Sequence, residues 1–301
     1  MENTVTMNKE QMVNKMKEMN MRTKENKEQK NNVLALFKNS QQVGGRVYIE
    51  MPLNHLRVDT EVYQRTTQKH WKHICQNWSS DKCDDLIVNY REDGYFYVMD
   101  GQHRLQAARA KGIESLNCRC FVGLTIKEEA QWYADQNKGT KGLAPFDSYK
   151  ANIVYGEPID TAIKDVCSCY KVRVEKTNAP NVLRGLTVTR KLVKADGKDC
   201  LHWIFQTIVN SGWNDFKEGF TYDTINSLWY VYTSCESNKV LAQERLVEFM
   251  KSHTPKNTFA MANLTYPDLG GHTRVVKFMR SIARNELQEH EGKVIDIRTA
   301  M

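Results

Sequence analysis

The apolar positions follow two periods, and the places where the period changes divide the chain. Leu86-Ile87-Val88 and Tyr95-Phe96-Tyr97-Val98-Met99 are strand-like runs with Asp93-Gly94 between them, which predicts a hairpin. Residues 46–53 and Leu116 to Val122 predict two further strands. Trp71, Ile74, Cys75 and Trp78 recur at i, i+3, i+4 and i+7, one face of a core-packed helix. Thr125-Ile126-Lys127-Glu128 is a capping box that opens a helix reaching about Gln136. From Pro145 helical spacing dominates. Phe146 to Tyr155 predicts a helix ended by Gly156, and Pro158 suits the first turn of the next, which runs to about Tyr170. Further helices are expected near 200–211, 222–235, 240–252 and 272–288, while Thr187 to Leu192 reads as a short strand or a helix start. The expected fold is α+β: a small mixed sheet with helices against it, then a mostly helical C-terminal region. The expected division is a polar arm over 1–44, a mixed domain over 45–144 and a helical domain over 145–301.

Composition narrows the classes. Hydrophobic residues make up 41% of the 301, enough for a core, which excludes a disordered chain. The formal net charge of +7 favours an anionic partner. The first thirty residues are polar and charged with no secretory signal, and no apolar run reaches membrane-spanning length. The eight cysteines therefore read as reduced thiols of a cytoplasmic protein without membrane contact. Two C-x-C pairs, Cys118/Cys120 and Cys167/Cys169, raise the question of zinc, but zinc sites use C-x₂₋₄-C. In a strand, Cys118 and Cys120 share one face, so core packing is the better reading. In the arm, Met12, Met16 and Met19 fall at helical spacing. The run reads either as a short helix that forms on a partner or in an oligomer or, since large apolar residues other than Met are lacking, as the favoured solvated, frayed segment. Asn31 to Phe37 reads as a further helical turn.

The densest chemistry lies in residues 98–112. A strand ends at Asp100-Gly101, and Gln102 to Lys111 is a helix-forming run stopped by Gly112. The first amides of such a helix lack internal acceptors and sit at the positive end of its dipole, which makes an anion site. His103 and Arg104 stand where they add charge, and the Arg104 guanidinium fork suits a phosphate. The bland alternative is an ordinary strand-to-helix corner. Lys138-Gly139-Thr140-Lys141-Gly142 either closes over a triphosphate or is a surface turn; it is not a Walker A sequence.

Asp100 to Arg104 resembles the Asp-Gly-Gln-His-Arg box of DNA-phosphorothioation regulators in the ParB/sulfiredoxin-like superfamily, where ParB proteins carry Gly-Glu-Arg-Arg and sulfiredoxins Gly-Cys-His-Arg. Tyr63-Gln64-Arg65 resembles the first ParB box, and Asp135-Gln136-Asn137-Lys138 stands where ParB has its Glu-Asn box. The resemblance covers roughly residues 45–150, and the layout is similar to phage and mobile-element proteins with a ParB-like domain. It implies a nucleoside triphosphate (CTP or ATP) with Mg²⁺, held by Gln64, Arg65, Gly101, Gln102, His103, Arg104, Asn137 and Lys138, with Asn137 helping the metal. It implies a partition or regulatory switch acting on DNA. Gln102 replaces the sulfiredoxin cysteine, so sulfinic acid repair is not expected. Gln136 replaces the ParB glutamate, and an amide is a poor ligand for a hard cation. Slow triphosphate hydrolysis stays open, as does a ParB-like metal-dependent nuclease with His103 and Asp100 as catalytic groups and Asp135 as the other acid. A non-catalytic DNA- or protein-binding module is the third alternative. ParB dimerises through regions that do not map onto this chain, so a homo-oligomer stays open.

Residues 171–194 hold Lys171, Arg173, Lys176, Arg184, Arg190, Lys191 and Lys194 against Glu175 as the one acid. Such a surface attracts a phosphate backbone without reading sequence, and the first six of these cations through Lys191 are the expected DNA contacts. Arg274, Lys277, Arg280 and Arg284 form a second stripe, read first as a solvated helix face. No turn-and-recognition-helix pattern stands in residues 146–170.

Overall fold

A computed structural model describes residues 7–65, 69–138, 144–235, 238–290 and 293–296. The chain forms two compact units, Met1–Gly156 and Glu157–Met301. The division comes one helix later than the sequence reading put it, because helix Pro145–Tyr155 packs within the first unit.

The first unit opens with α1 (Lys9–Arg22), which corrects the expectation of a frayed arm, and α2 (Lys27–Lys38), longer than the expected helical turn over 31–37. Asn8 caps α1 through a reciprocal box with Gln11. Met12, Met16 and Met19, with Val33 and Phe37 of α2, are buried in the same core as the sheet. Phe37 stacks on Phe96 at 6.0 Å between ring centroids, and the Tyr90 hydroxyl donates to Asn20 Oδ1 at 2.6 Å. Three unbranched thioethers fill irregular space as well as branched side chains do. Each buried methionine contributes about 1.5–3 kcal/mol, and that helix face holds the polar segment down.

The strands are β1 (Gln41–Val43), β2 (Arg46–Pro52), β3 (Leu56–Arg57), β4 (Leu86–Tyr90), β5 (Phe96–Asp100) and β6 (Ser115–Val122). Between β3 and β4 lies the short helix α3 (His70–Gln76); α4 (Gln102–Lys111) joins β5 to β6, and α5 (Ile126–Lys138) and α6 (Pro145–Tyr155) follow. The sheet order is β1-β2-β6-β4-β5-β3. β6 pairs parallel to β4 and β3 parallel to β5, while β1/β2, β2/β6 and β4/β5 pair antiparallel. The sheet is therefore mixed, as expected. On β6 burial alternates, so Cys118 and Cys120 face the core. Burial pushes both thiols up in pKa, which disfavours the thiolate that a metal needs. Among the described residues, no group of three or more His, Cys, Asp or Glu is placed to hold a metal ion. The capping box at Thr125 and Glu128 forms as expected. Trp71, Ile74, Cys75 and Trp78 are the half-buried positions between exposed Lys72, His73, Gln76 and Asn77, and Trp78 packs on the core. The correction is one of extent, since α3 ends at Gln76 and none of its residues is fully buried.

The second unit is helical: α7 (Pro158–Cys169), α8 (Leu186–Asn210), α9 (Tyr222–Ser234), α10 (Lys239–Ser252), α11 (Pro255–Thr265) and α12 (Gly271–Ala283), followed by the hairpin of β7 (Leu287–His290) and β8 (Lys293–Asp296). The run 187–192 is helix, the first part of α8, which breaks at Gly197 (φ 74°, ψ −175°). α11 was not read from the sequence, and the last helix ends at Ala283 instead of near 288. Among the described residues no helix is long and apolar enough to cross a membrane.

Candidate functional site

The corner between β5 and α4 is built on Gly101. Its φ of 95° lies in the left-handed region, and a Cβ there would stand 2.3 Å from Leu86 Cδ2 and 3.1 Å from Arg104 Nε. Only glycine accommodates both demands. α4 has no side-chain N-cap. The amides of Gln102, His103 and Arg104 thus have no acceptor inside the helix, whose first internal bond runs from the Leu105 amide to the Gly101 carbonyl.

A cavity of about 320 Å³ opens at this helix end, lined by Gln64, Arg65, Asp100, Gly101, Gln102, His103, Arg104 and Asn137 among others. Three separate segments that the sequence reading singled out therefore meet at one place. His70, Ile74, Asp84, Met99 and Tyr133 also line it and were not anticipated. Asp135 is exposed and does not line it. Lys138 ends α5 with its side chain outside the described residues, and the loop 139–143 is outside them too.

Arg104 does not present an open fork. Its Nη1 donates to the carbonyls of Asp84 (2.7 Å) and Asp85 (3.1 Å), and its Nη2 to Asp100 Oδ2 at 2.9 Å. It ties the entrance of β4 to the turn. Asp100, the expected catalytic acid, is neutralised by the same guanidinium. Gln102 Nε2 donates to the Arg65 carbonyl at 3.1 Å and so fixes the first box against the second. Asn137 Nδ2 donates to the Tyr133 carbonyl of its own helix at 2.7 Å, which leaves Oδ1 as its acceptor on the cavity.

His103 packs edge-on to His70 at 5.7 Å, and His70 stacks on His73 at 6.0 Å. Burial lowers the pKa of His103, with Arg65 and His70 acting in the same direction and Asp100 opposing. The ring is neutral at pH 7, and its Nε2 is buried without a hydrogen-bond partner. Gln64, 1% exposed, likewise has an unpartnered Oε1.

Behind Gln64 lies a buried ionic network that sequence reading missed. Arg91 grips Glu129 with two hydrogen bonds (2.9 and 2.6 Å) and Asp59 with a third (2.8 Å). Glu129, fully buried, also accepts from Asn89 (2.6 Å) and from the Tyr63 hydroxyl (2.9 Å). The Arg91 guanidinium stacks over Tyr97 at 3.7 Å. Burial raises the Tyr63 pKa, and Glu129 adds to the rise. The available signal was an acid on the apolar stripe of α5, where Ala130, Tyr133 and Ala134 are buried.

In the second unit the expected DNA contacts separate. Lys171, Arg173, Lys176, Arg184 and Lys191 are exposed. Arg190 is not free for DNA: its Nε and Nη2 clamp the fully buried Asp160 at 2.7 and 2.6 Å. Arg173 pairs with Glu175 (3.1 Å), and Arg184 donates to Asn178 (2.8 Å). The second stripe is half-buried and locally engaged, with Arg274 on Asn263 and Lys277 over the Tyr266 ring.

A family of unknown function, DUF6551, matches residues 58–263, and the chain belongs to that family. No curated protein matches the chain. Among solved structures, the C-terminally truncated chromosome-partitioning protein ParB from Caulobacter crescentus, complexed with CTP-gamma-S, is 11% identical. The match covers 79% of this chain and 97% of that one at a TM-score of 0.28. The same protein complexed to the centromeric parS site is 14% identical, with 78% and 98% covered, at 0.30. The pNOB8-like ParB N-domain is 11% identical, with 78% and 96% covered, at 0.36.

Proposed function

We propose that this DUF6551 protein binds a nucleoside triphosphate, CTP or ATP, with its phosphates against the N-terminus of α4. One observation carries the reading: residues 64–65, 100–104 and 137 converge on a cavity that holds an uncapped helix end and two buried, unpartnered polar atoms. Native interiors rarely leave such atoms unsatisfied, and functional sites are where they occur. The helix amides and Arg65 supply positive potential, while Arg104 shapes the turn that presents those amides.

Mg²⁺ fits only as the companion of the nucleotide. Magnesium prefers carboxylates and phosphate oxygens. The cavity offers Asn137 Oδ1, an exposed Asp84 and an Asp100 already paired with Arg104. For the same reason binding is favoured over phosphodiester cleavage, which needs clustered carboxylates. The exposed cations Lys171, Arg173, Lys176, Arg184 and Lys191 are the proposed contacts to a DNA backbone, which would make the protein a nucleotide-responsive DNA-binding factor. Its free cysteines, Cys118, Cys120, Cys167 and Cys200 buried and Cys169 exposed, suit the reducing cytoplasm.

Thermal unfolding tests the reading. A nucleotide at a hundredfold excess over its Kd stabilises the folded state by about 2.7 kcal/mol. CTP or ATP with Mg²⁺ is expected to raise the transition of the first unit. If neither nucleotide nor inorganic tripolyphosphate moves the transition at millimolar concentration, the reading fails.

A further inference from the structure

The buried network behind the cavity sets the polarity of its wall, and this bears on the ligand assigned above. Arg91 holds Glu129 as a carboxylate, which only accepts hydrogen bonds. The Tyr63 hydroxyl must therefore donate to it (2.9 Å), and the Tyr63 oxygen is left as an acceptor. Gln64 Nε2 faces that oxygen at 3.4 Å and also donates to the Val98 carbonyl. A flipped amide would place Oε1 against the carbonyl oxygen, so the orientation of the Gln64 amide is determined by its neighbours. Oε1 is then left as a buried acceptor without a partner in a residue that lines the cavity.

We infer that Gln64 selects ligands carrying a neutral N–H or O–H donor beside the phosphates. Tyr63, held by Glu129 and Arg91, is the positioning residue that, with the Val98 carbonyl, keeps the Gln64 amide turned so that its acceptor stays unpaired at the cavity wall. A phosphate oxygen cannot meet Oε1, because both only accept. The matching group is a sugar hydroxyl or an exocyclic amine. The inference rests on the phosphate site at α4, and it adds that a bare polyphosphate leaves one buried acceptor unsatisfied.

Calorimetric titration of the full chain separates the two claims. The probes are CTP, ATP, UTP, 2′-deoxy-CTP, 3′-deoxy-CTP and inorganic tripolyphosphate, each with Mg²⁺. Wild type is expected to bind at least one ribonucleotide well above tripolyphosphate. In Gln64→Met, which keeps the side-chain length and removes the acceptor, that nucleotide should weaken roughly fivefold to twentyfold, the range of one hydrogen bond. Tripolyphosphate should hold its affinity. Tyr63→Phe should narrow the same ratio without altering tripolyphosphate binding, which a merely structural role would not do. Loss with a deoxy analogue assigns the donor to the sugar; loss with UTP but not with the deoxy analogues assigns it to the base amine. Equal weakening of nucleotide and tripolyphosphate in Gln64→Met overturns the inference while leaving the phosphate site standing. No binding of any probe to wild type overturns the phosphate site itself.

Discussion

Replacing Glu129 with glutamine asks whether the network beneath the cavity acts as a unit. The substitution keeps shape and removes one charge. Glu129 accepts four hydrogen bonds, two of them from Arg91, at 2.6–2.9 Å and with no solvent exposure. A glutamine presents one oxygen and one NH₂. The NH₂ must face donors, either Tyr63 and Arg91 Nη2 or Asn89 and Arg91 Nε, so two hydrogen bonds are lost, and Arg91 keeps Asp59 and one bond to the neutral amide oxygen. Removing one partner of a buried pair costs about 3–5 kcal/mol. For a unit of this size that corresponds to roughly 6–20 °C in Tm. Guanidinium titration should show a lower midpoint for the first unit with an unchanged slope. In a double-mutant cycle with Arg91→Met the two losses should be far from additive, since either change alone strands the other group. A loss under about 1 kcal/mol, the value of an exposed pair, would refute the reasoning.

Gly101→Ala combines a left-handed φ with a Cβ 2.3 Å from Leu86 Cδ2. It should cost about 2–4 kcal/mol in chemical denaturation, from backbone and overpacking terms together. Arg190→Ala should destabilise the second unit by about 3–5 kcal/mol by stranding buried Asp160. Lys191→Ala should leave stability unchanged and reduce the salt slope of DNA binding by about one. His103 has its pKa lowered in the folded state. Its contribution to stability is thus present above the unfolded value near 6.5 and is lost as pH falls through that value towards the folded one. A bound polyphosphate should raise that pKa again, so binding near pH 6 should take up a proton, read from titrations in buffers of different ionisation enthalpy; His103→Asn should abolish the uptake.

Much of the first unit was legible because its signals are local. The Asp93-Gly94 hairpin, the box at Thr125 and Glu128 and the Gly101 corner each follow from a few adjacent residues. The convergence of Gln64, His103 and Asn137 came from motif resemblance, since no local rule brings segments so far apart in sequence together. The methionine helix was misread because propensity and residue size say nothing of the sheet that buries Met12, Met16 and Met19. Arg104 and Arg190 were misread for a common reason: a sequence shows charge but not the partner. Each turned out to hold a carboxylate, and Arg104 two carbonyls as well, ahead of any phosphate. Glu129 was missed because a buried acid becomes intelligible only once Arg91, Asn89 and Tyr63 are seen around it.

The most direct test of the phosphate site is to follow backbone amide resonances while inorganic tripolyphosphate and then CTP or ATP are added. The account predicts that the amides of Gln102, His103 and Arg104 move first and saturate with one ligand per chain, with Gln64 side-chain shifts joining only for the nucleotide. Shifts confined to the basic region 171–191, with α4 unmoved, would contradict it.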